Sequence, residues 1–178
     1  MNVLNTELDF SPHGPASENE VVGIENLIGT NLPVDYRHFL LSVGGGFIQR
    51  GVTRCQWPTP FGNPTIVELS DIEGIRGLLD SDIIPRNMIC IGAGHLGVIT
   101  CLAIAGLDHG YVYALDTEMK YYWTKDHIDK FKDLAPSIRN FFRDRDSGQL
   151  PPRPWGYENC YLIAGSFSLF AANIVPKL

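Results

Sequence analysis

Val98, Ile99 and Thr100 are three β-branched residues in succession, directly after Gly92-Ala93-Gly94-His95-Leu96-Gly97. Whether that run coils or extends separates two fold classes. The glycines match G-x-G-x-x-G, follow the short apolar run 88–91, and stand nineteen residues before Asp116 when counted from Gly97. In a dinucleotide-binding unit such glycines let a backbone approach a pyrophosphate, and such an acid binds ribose hydroxyls. That layout needs a helix starting at Val98, where each β-branched residue loses rotamer freedom. It also needs further strand–helix–strand units, yet only 62 residues follow Asp116, Pro136 and a proline-rich segment among them. The residues therefore favour extended chain. Met88–Ile91 and 98–105 form a hairpin through the glycine turn, and a turn at 106–110 leads to a third strand, 111–115. A small NAD(P)- or FAD-dependent enzyme using Gly92–Gly97 is the alternative, and no cofactor is expected.

Two helices are written into the first fifty residues. Ser17-Glu18-Asn19-Glu20 is a capping box, Val21, Ile24, Leu27 and Ile28 share one helical face, and Gly29 is a natural stop. Leu32-Pro33 opens a second helix whose apolar positions are Tyr36, Phe39, Leu40 and Val43, ended by Gly44-Gly45-Gly46. The prolines and glycines of 47–65 predict mostly loop, and Ile66–Leu69 a strand. Ser70-Asp71-Ile72-Glu73 reads as a second capping box, heading a helix with Ile75, Leu78 and Leu79 inward. Further on, Tyr121–Trp123 is a candidate strand and Ser137–Arg145 a closing helix with Ile138, Phe141 and Phe142 inward. The segment Gln149–Trp155 reads as an extended, proline-rich linker, so the division is a domain over 1–148 and a tail over 149–178. The apolar stretch from Cys160 must dock, on its own domain or on a partner, because such a patch in water is a liability.

Charge and motifs remove several function classes. There are 14 Lys and Arg against 20 Asp and Glu, net −6, and no basic run, so direct nucleic-acid binding is not expected. Residues 1–118 hold fourteen of the acids and five of the bases, net −9, while 119–178 carry net +3. No apolar stretch is long enough to span a membrane and the start has no signal-peptide pattern, so a cytoplasmic protein is expected. Cys55, Cys90, Cys101 and Cys160 form no C-x-x-C pair and read as small buried or half-buried thiols, with Cys90 and Cys101 able to face one another across strands. His13, His38, His95, His109 and His127 show no zinc spacing, and 165–168 is not a nucleophile elbow. No catalytic or metal-binding residue is assigned.

The order of short motifs is informative. Ile24–Gly29, then Leu32-Pro33 with Tyr36, Phe39 and Leu40, then Gly45-Gly46, resembles the opening of the SUKH superfamily, which includes the fungal cell-wall-assembly regulator and many bacterial immunity proteins. Ile84-Pro85 with Ile91-Gly92, Gly97-Val98-Ile99 and Gly110–Tyr113 with Asp116 are similar to its central hairpin and third strand. Leu134–Ser137 with Phe141-Phe142 is similar to the approach to its last helix. The resemblance covers about residues 20–145. It implies an α+β domain with helices on a mixed, mostly antiparallel sheet, here with a C-terminal apolar extension. It also implies a non-catalytic immunity protein that binds and neutralises a cognate toxin, frequently a nuclease, or alternatively a regulatory scaffold of the cell-wall type. An acidic body would complement a nuclease's basic cleft. The acids first in line for contact are Glu68, Asp71, Glu73, Asp80, Asp82, Asp108, Asp116 and Glu118. Self-association is left open by the apolar tail.

Overall fold

The computed structural model describes residues 4–81, 83–95, 97–117, 143, 147 and 159–177. These form an α+β fold in the order β1 (Asp9–Pro12), α1 (Glu18–Ile28), α2 (Val34–Ser42), β2 (Gly46–Thr53), β3 (Thr65–Leu69), α3 (Ile72–Leu78), β4 (Met88–Ala93), β5 (Val98–Ala103), β6 (Val112–Asp116), β7 (Cys160–Ala164), α4 (Phe167–Ala172) and β8 (Ile174–Pro176). Strands β1 to β7 lie side by side in chain order and β8 pairs with β2, every described pairing being antiparallel.

Local chemistry sets the helices. Ser17 caps α1 with both halves of the capping box formed, and Gly29 ends it in the left-handed conformation. Val21 and Ile24 are buried as expected, but Leu27 is 62% exposed. Tyr36, Phe39 and Leu40 of α2 are buried completely, against Leu32 at 3%. The cap of α3 is Asp71 rather than Ser70: its carboxylate accepts from the Gly74 N–H at 2.9 Å, and Leu78 faces outward.

The run after the glycines is strand. Cys90 stands opposite Cys101, Gly92 opposite Thr100, and the Gly94 N–H donates to the Val98 carbonyl at 2.9 Å. The dinucleotide layout is not formed, because β5 occupies the place of its helix. The glycines serve close packing instead: a Cβ on Gly92 would lie 2.6 Å from the Glu68 carbonyl oxygen, and one on Gly94 2.0 Å from that of Thr65. The stretch 47–65 departs from expectation, since its first part is β2, held between β1 and β3 across a register shift from Phe47 to Gly51.

The apolar stretch from Cys160 docks on its own domain. Strand β7 pairs with β6, α4 packs on α2, and β8 pairs with Gly51–Thr53. Just past β2 the Gln56 N–H donates to the Ile163 carbonyl at 2.9 Å, and the Gln56 side-chain oxygen accepts from Gly165 N–H at 2.8 Å. The sheet thus curls until its two sides meet at Gln56. Its helix-covered face carries the main core, including Ile66, Leu69, Ile89, Ile91, Leu102, Val112 and Ile163 under Tyr36, Phe39, Phe167 and Phe170. The opposite face of β4–β7 carries a second buried cluster of Met88, Cys90, Cys101, Tyr113, Leu115, Cys160 and Leu162, with Trp57 and Ile83 packed against it. Burial on both faces explains why these strands read as continuous apolar runs. The expected strand 121–123, linker 149–155, the segments 134–137 and 141–142, and the boundary at 148 lie outside the described residues. Of the expected helix over 137–145 only Arg143 is described, in helical conformation.

Candidate functional site

Contact between α1 and α3, and between α1 and α2, gathers acids that are distant in sequence. Residues 17–43 and 70–81, the helical layer with its caps, contain Glu18, Glu20, Glu25, Asp35, Asp71, Glu73 and Asp80 against Arg37 and Arg76, net −5. Nearly all of the chain's net −6 therefore sits on this layer. Position explains part of it, since Glu18, Glu20 and Glu73 lie in first helical turns, where carboxylates meet the positive end of the dipole.

Most of these acids are held in place. Arg37 joins α2 to α1 through Glu18 and Glu25, and the hydrogen bond to Glu18 raises its pKa above the ordinary value. The Glu25 carboxylate also accepts from the Leu32 N–H at 3.1 Å. Hydrogen bonding from Ser17 lowers the Glu20 pKa. Asp71 is lowered first by the Gly74 N–H and then by His13, whose ring nitrogen lies 2.9 Å from its carboxylate. Glu73 pairs with Arg76 one turn on, leaving its side chain 76% exposed.

At one end of this layer a cleft of about 660 Å³ opens between the end of α1, the end of α3 and the start of β4. Leu27, Leu79, Met88 and Ile104 line it, with Arg76, Asp80 and Arg86 as its charged members. The cleft surface is more polar than apolar, a concavity able to take a polar side chain of a partner by hydrogen bonding. The resemblance's signature residue Pro85 also lines this cleft, whereas Leu32, Tyr36, Phe39 and Leu40 are core, and Pro33 is the α2 cap. Gly45, Gly46, Gly92, Gly97 and Gly110 sit at close approaches or turns, as a Cβ on Gly45 would lie 2.6 Å from the Asp71 nitrogen.

The eight acids expected as contacts do not form one patch. Asp71, Glu73 and Asp80 lie on or beside α3, following Glu68 of β3. Asp108 is a correction: it is 5% exposed, and its carboxylate accepts from the Tyr113 hydroxyl at 2.9 Å, so it braces the β5–β6 turn instead of facing a partner. Asp116 pairs with Val98 beside the β4–β5 turn, at the end of the sheet opposite Asp71. Asp82 and Glu118 lie outside the described residues. Glu18, Glu20 and Glu25 are acids that sequence reasoning missed; their signal was the amphipathic pattern of α1, in which they flank the apolar face, Glu25 closely enough to be largely buried against Arg37.

The thiols are as expected. Cys55 is half-buried and its pKa is pushed up to about 12 by burial, and burial likewise raises Cys90 and Cys101. Among the described residues no group of His, Cys, Asp and Glu is arranged to hold a metal, and no helix is long and apolar enough to cross a membrane.

The sequence model of the SMI1 / KNR4 family (SUKH-1) matches residues 15–144, a span that holds α1 to β6. No curated protein matches the chain.

Proposed function

Because the chain belongs to the SMI1 / KNR4 family (SUKH-1), whose members support a toxin-immunity or related role, we propose that it is a non-catalytic cytoplasmic binding protein that neutralises a cognate toxin. The observation that carries this reading is the net −5 concentrated on one helical layer. A surface of one sign steers an oppositely charged partner and raises the association rate about 10- to 1,000-fold at low salt. Enzymes that act on nucleic acid carry the complementary charge, so a nuclease is the kind of toxin this layer suits. The helical layer covers the toxin's basic face and the cleft beside Asp80 takes a protruding side chain, so that substrate is excluded by occupancy.

The test is co-expression with the product of the neighbouring gene, read as growth protection and as binding in vitro. Glu18→Lys, Glu73→Lys and Asp80→Lys together should slow association at least tenfold at low salt and abolish protection. Binding unchanged by the triple reversal would remove the electrostatic reading. A wild-type chain that neither binds that product nor protects would remove the immunity role itself.

A further inference from the structure

At the other end of the sheet lies a cleft of opposite character. About 340 Å³ in volume, it is lined by Arg50, Gly51, Thr65, Val67, His95 and Lys177, with no carboxylate among the described residues that form it. The three basic side chains come from three separate pieces of chain: the irregular part of β2, the β4–β5 turn and the residue after β8. In a protein of net −6 this convergence runs against the overall charge.

The backbone is arranged to keep it. Arg50 has φ 54°, the only positive value at a non-glycine position among the described residues. That conformation is costly for a residue with a Cβ, and strain of this kind is retained where the side chain has a task. The register shift in β2 at Arg50 is the device by which strands re-aim a side chain. The Arg50 carbonyl accepts from the Lys177 N–H at 2.6 Å, which sets the two residues side by side along the backbone, both lining the cleft. His95 is tied down by its own N–H, which donates to the Thr65 hydroxyl at 2.9 Å. An accepting hydroxyl still has its proton to give, so Thr65 adds a neutral donor to the same cleft.

We propose that Arg50, Lys177, His95 and Thr65 form a binding site for the phosphomonoester group of a small molecule. A planar guanidinium, a compact ammonium and an imidazole are the donor set that recognises such an oxyanion by charge-assisted hydrogen bonds. The cleft is larger than the anion alone requires, leaving room for part of the molecule that carries it. This site stands apart from the acidic helical layer and holds whether or not that layer meets a toxin.

The experiment measures the thermal midpoint of the full chain in glycerol 3-phosphate, in inorganic phosphate and in sodium chloride at matched ionic strength. The wild type should rise in glycerol 3-phosphate beyond the chloride control. Arg50→Gly relieves the backbone and removes the guanidinium, so it should be at least as stable as wild type yet lose the rise. Lys177→Met should lose it too, each variant binding roughly tenfold more weakly. No rise over chloride, or an undiminished rise in both variants, would overturn the site. A larger rise in inorganic phosphate than in glycerol 3-phosphate would overturn its assignment to a carried group.

Discussion

Phe167 decides whether the apolar stretch after residue 159 is part of the domain's core or an attachment to it. Its side chain is wholly buried on α4, with ring centroids 4.8 Å from Tyr36, 4.9 Å from Phe39 and 6.0 Å from Phe170. Phe167→Ala removes the ring on which two α2 aromatics rest and leaves a cavity the neighbours fill only in part. Substitutions of this type cost about 3–5 kcal/mol. At about 2–4 °C per kcal/mol for a chain of this size, the midpoint should fall by roughly 6–20 °C. Urea denaturation followed by tryptophan fluorescence and by far-ultraviolet circular dichroism should show one coincident transition whose unfolding free energy is lower by about 3–5 kcal/mol, with an unchanged slope. A loss under about 1 kcal/mol, or a truncation at residue 158 that melts as the full chain does, would refute the placement of β7, α4 and β8 inside the fold.

Two glycines of opposite context give a matched pair of outcomes. Gly94→Ala drives a Cβ to 2.0 Å from a backbone carbonyl and should cost about 1–3 kcal/mol, whereas Gly77→Ala, on an open face of α3, should stabilise by about 0.5–1 kcal/mol, both measured by denaturant midpoint. Asp71→Ala removes the α3 cap and should cost about 1 kcal/mol near neutral pH. Because folding lowers the Asp71 pKa, the wild type's advantage is present above the unfolded carboxylate's range and should fade as pH falls through the folded one; a gap that stays constant from pH 7 to pH 2 would contradict this.

Features set by neighbours in sequence were legible before the fold was known. The Ser17 box, the stop at Gly29 and the extended run after Gly97 depend on a few adjacent residues, and each formed as read. Strand β2 was hidden because Gly46, Arg50 and Gly51 look like loop residues, and only pairing with β1 and β3 on either side makes them strand. The α3 cap slipped by one because Ser70 and Asp71 both offer a capping oxygen, and the backbone at Asp71 is the one that enters the helix. Strand β7, buried at every position, has no alternation to announce it. The acidic layer was half legible: charge along the chain showed an acidic first part, but only packing of α1 against α2 and α3 sets Glu18 on Arg37 and Glu20 near Arg76, and only the β5–β6 turn directs Asp108 inward to Tyr113.

The meeting at Gln56 also dictates the timetable on which the molecule comes into being. Gly165 bonds to a residue made 109 positions earlier, and β8 completes the ladder begun at Gly51. Loops of that length close slowly, and a nascent chain offers nothing to close them until residues 160–176 have left the ribosome. An interrupted translation product would therefore carry an open seam, with Ile163's partner waiting and Tyr36 and Phe39 uncovered, and would be matter for a protease.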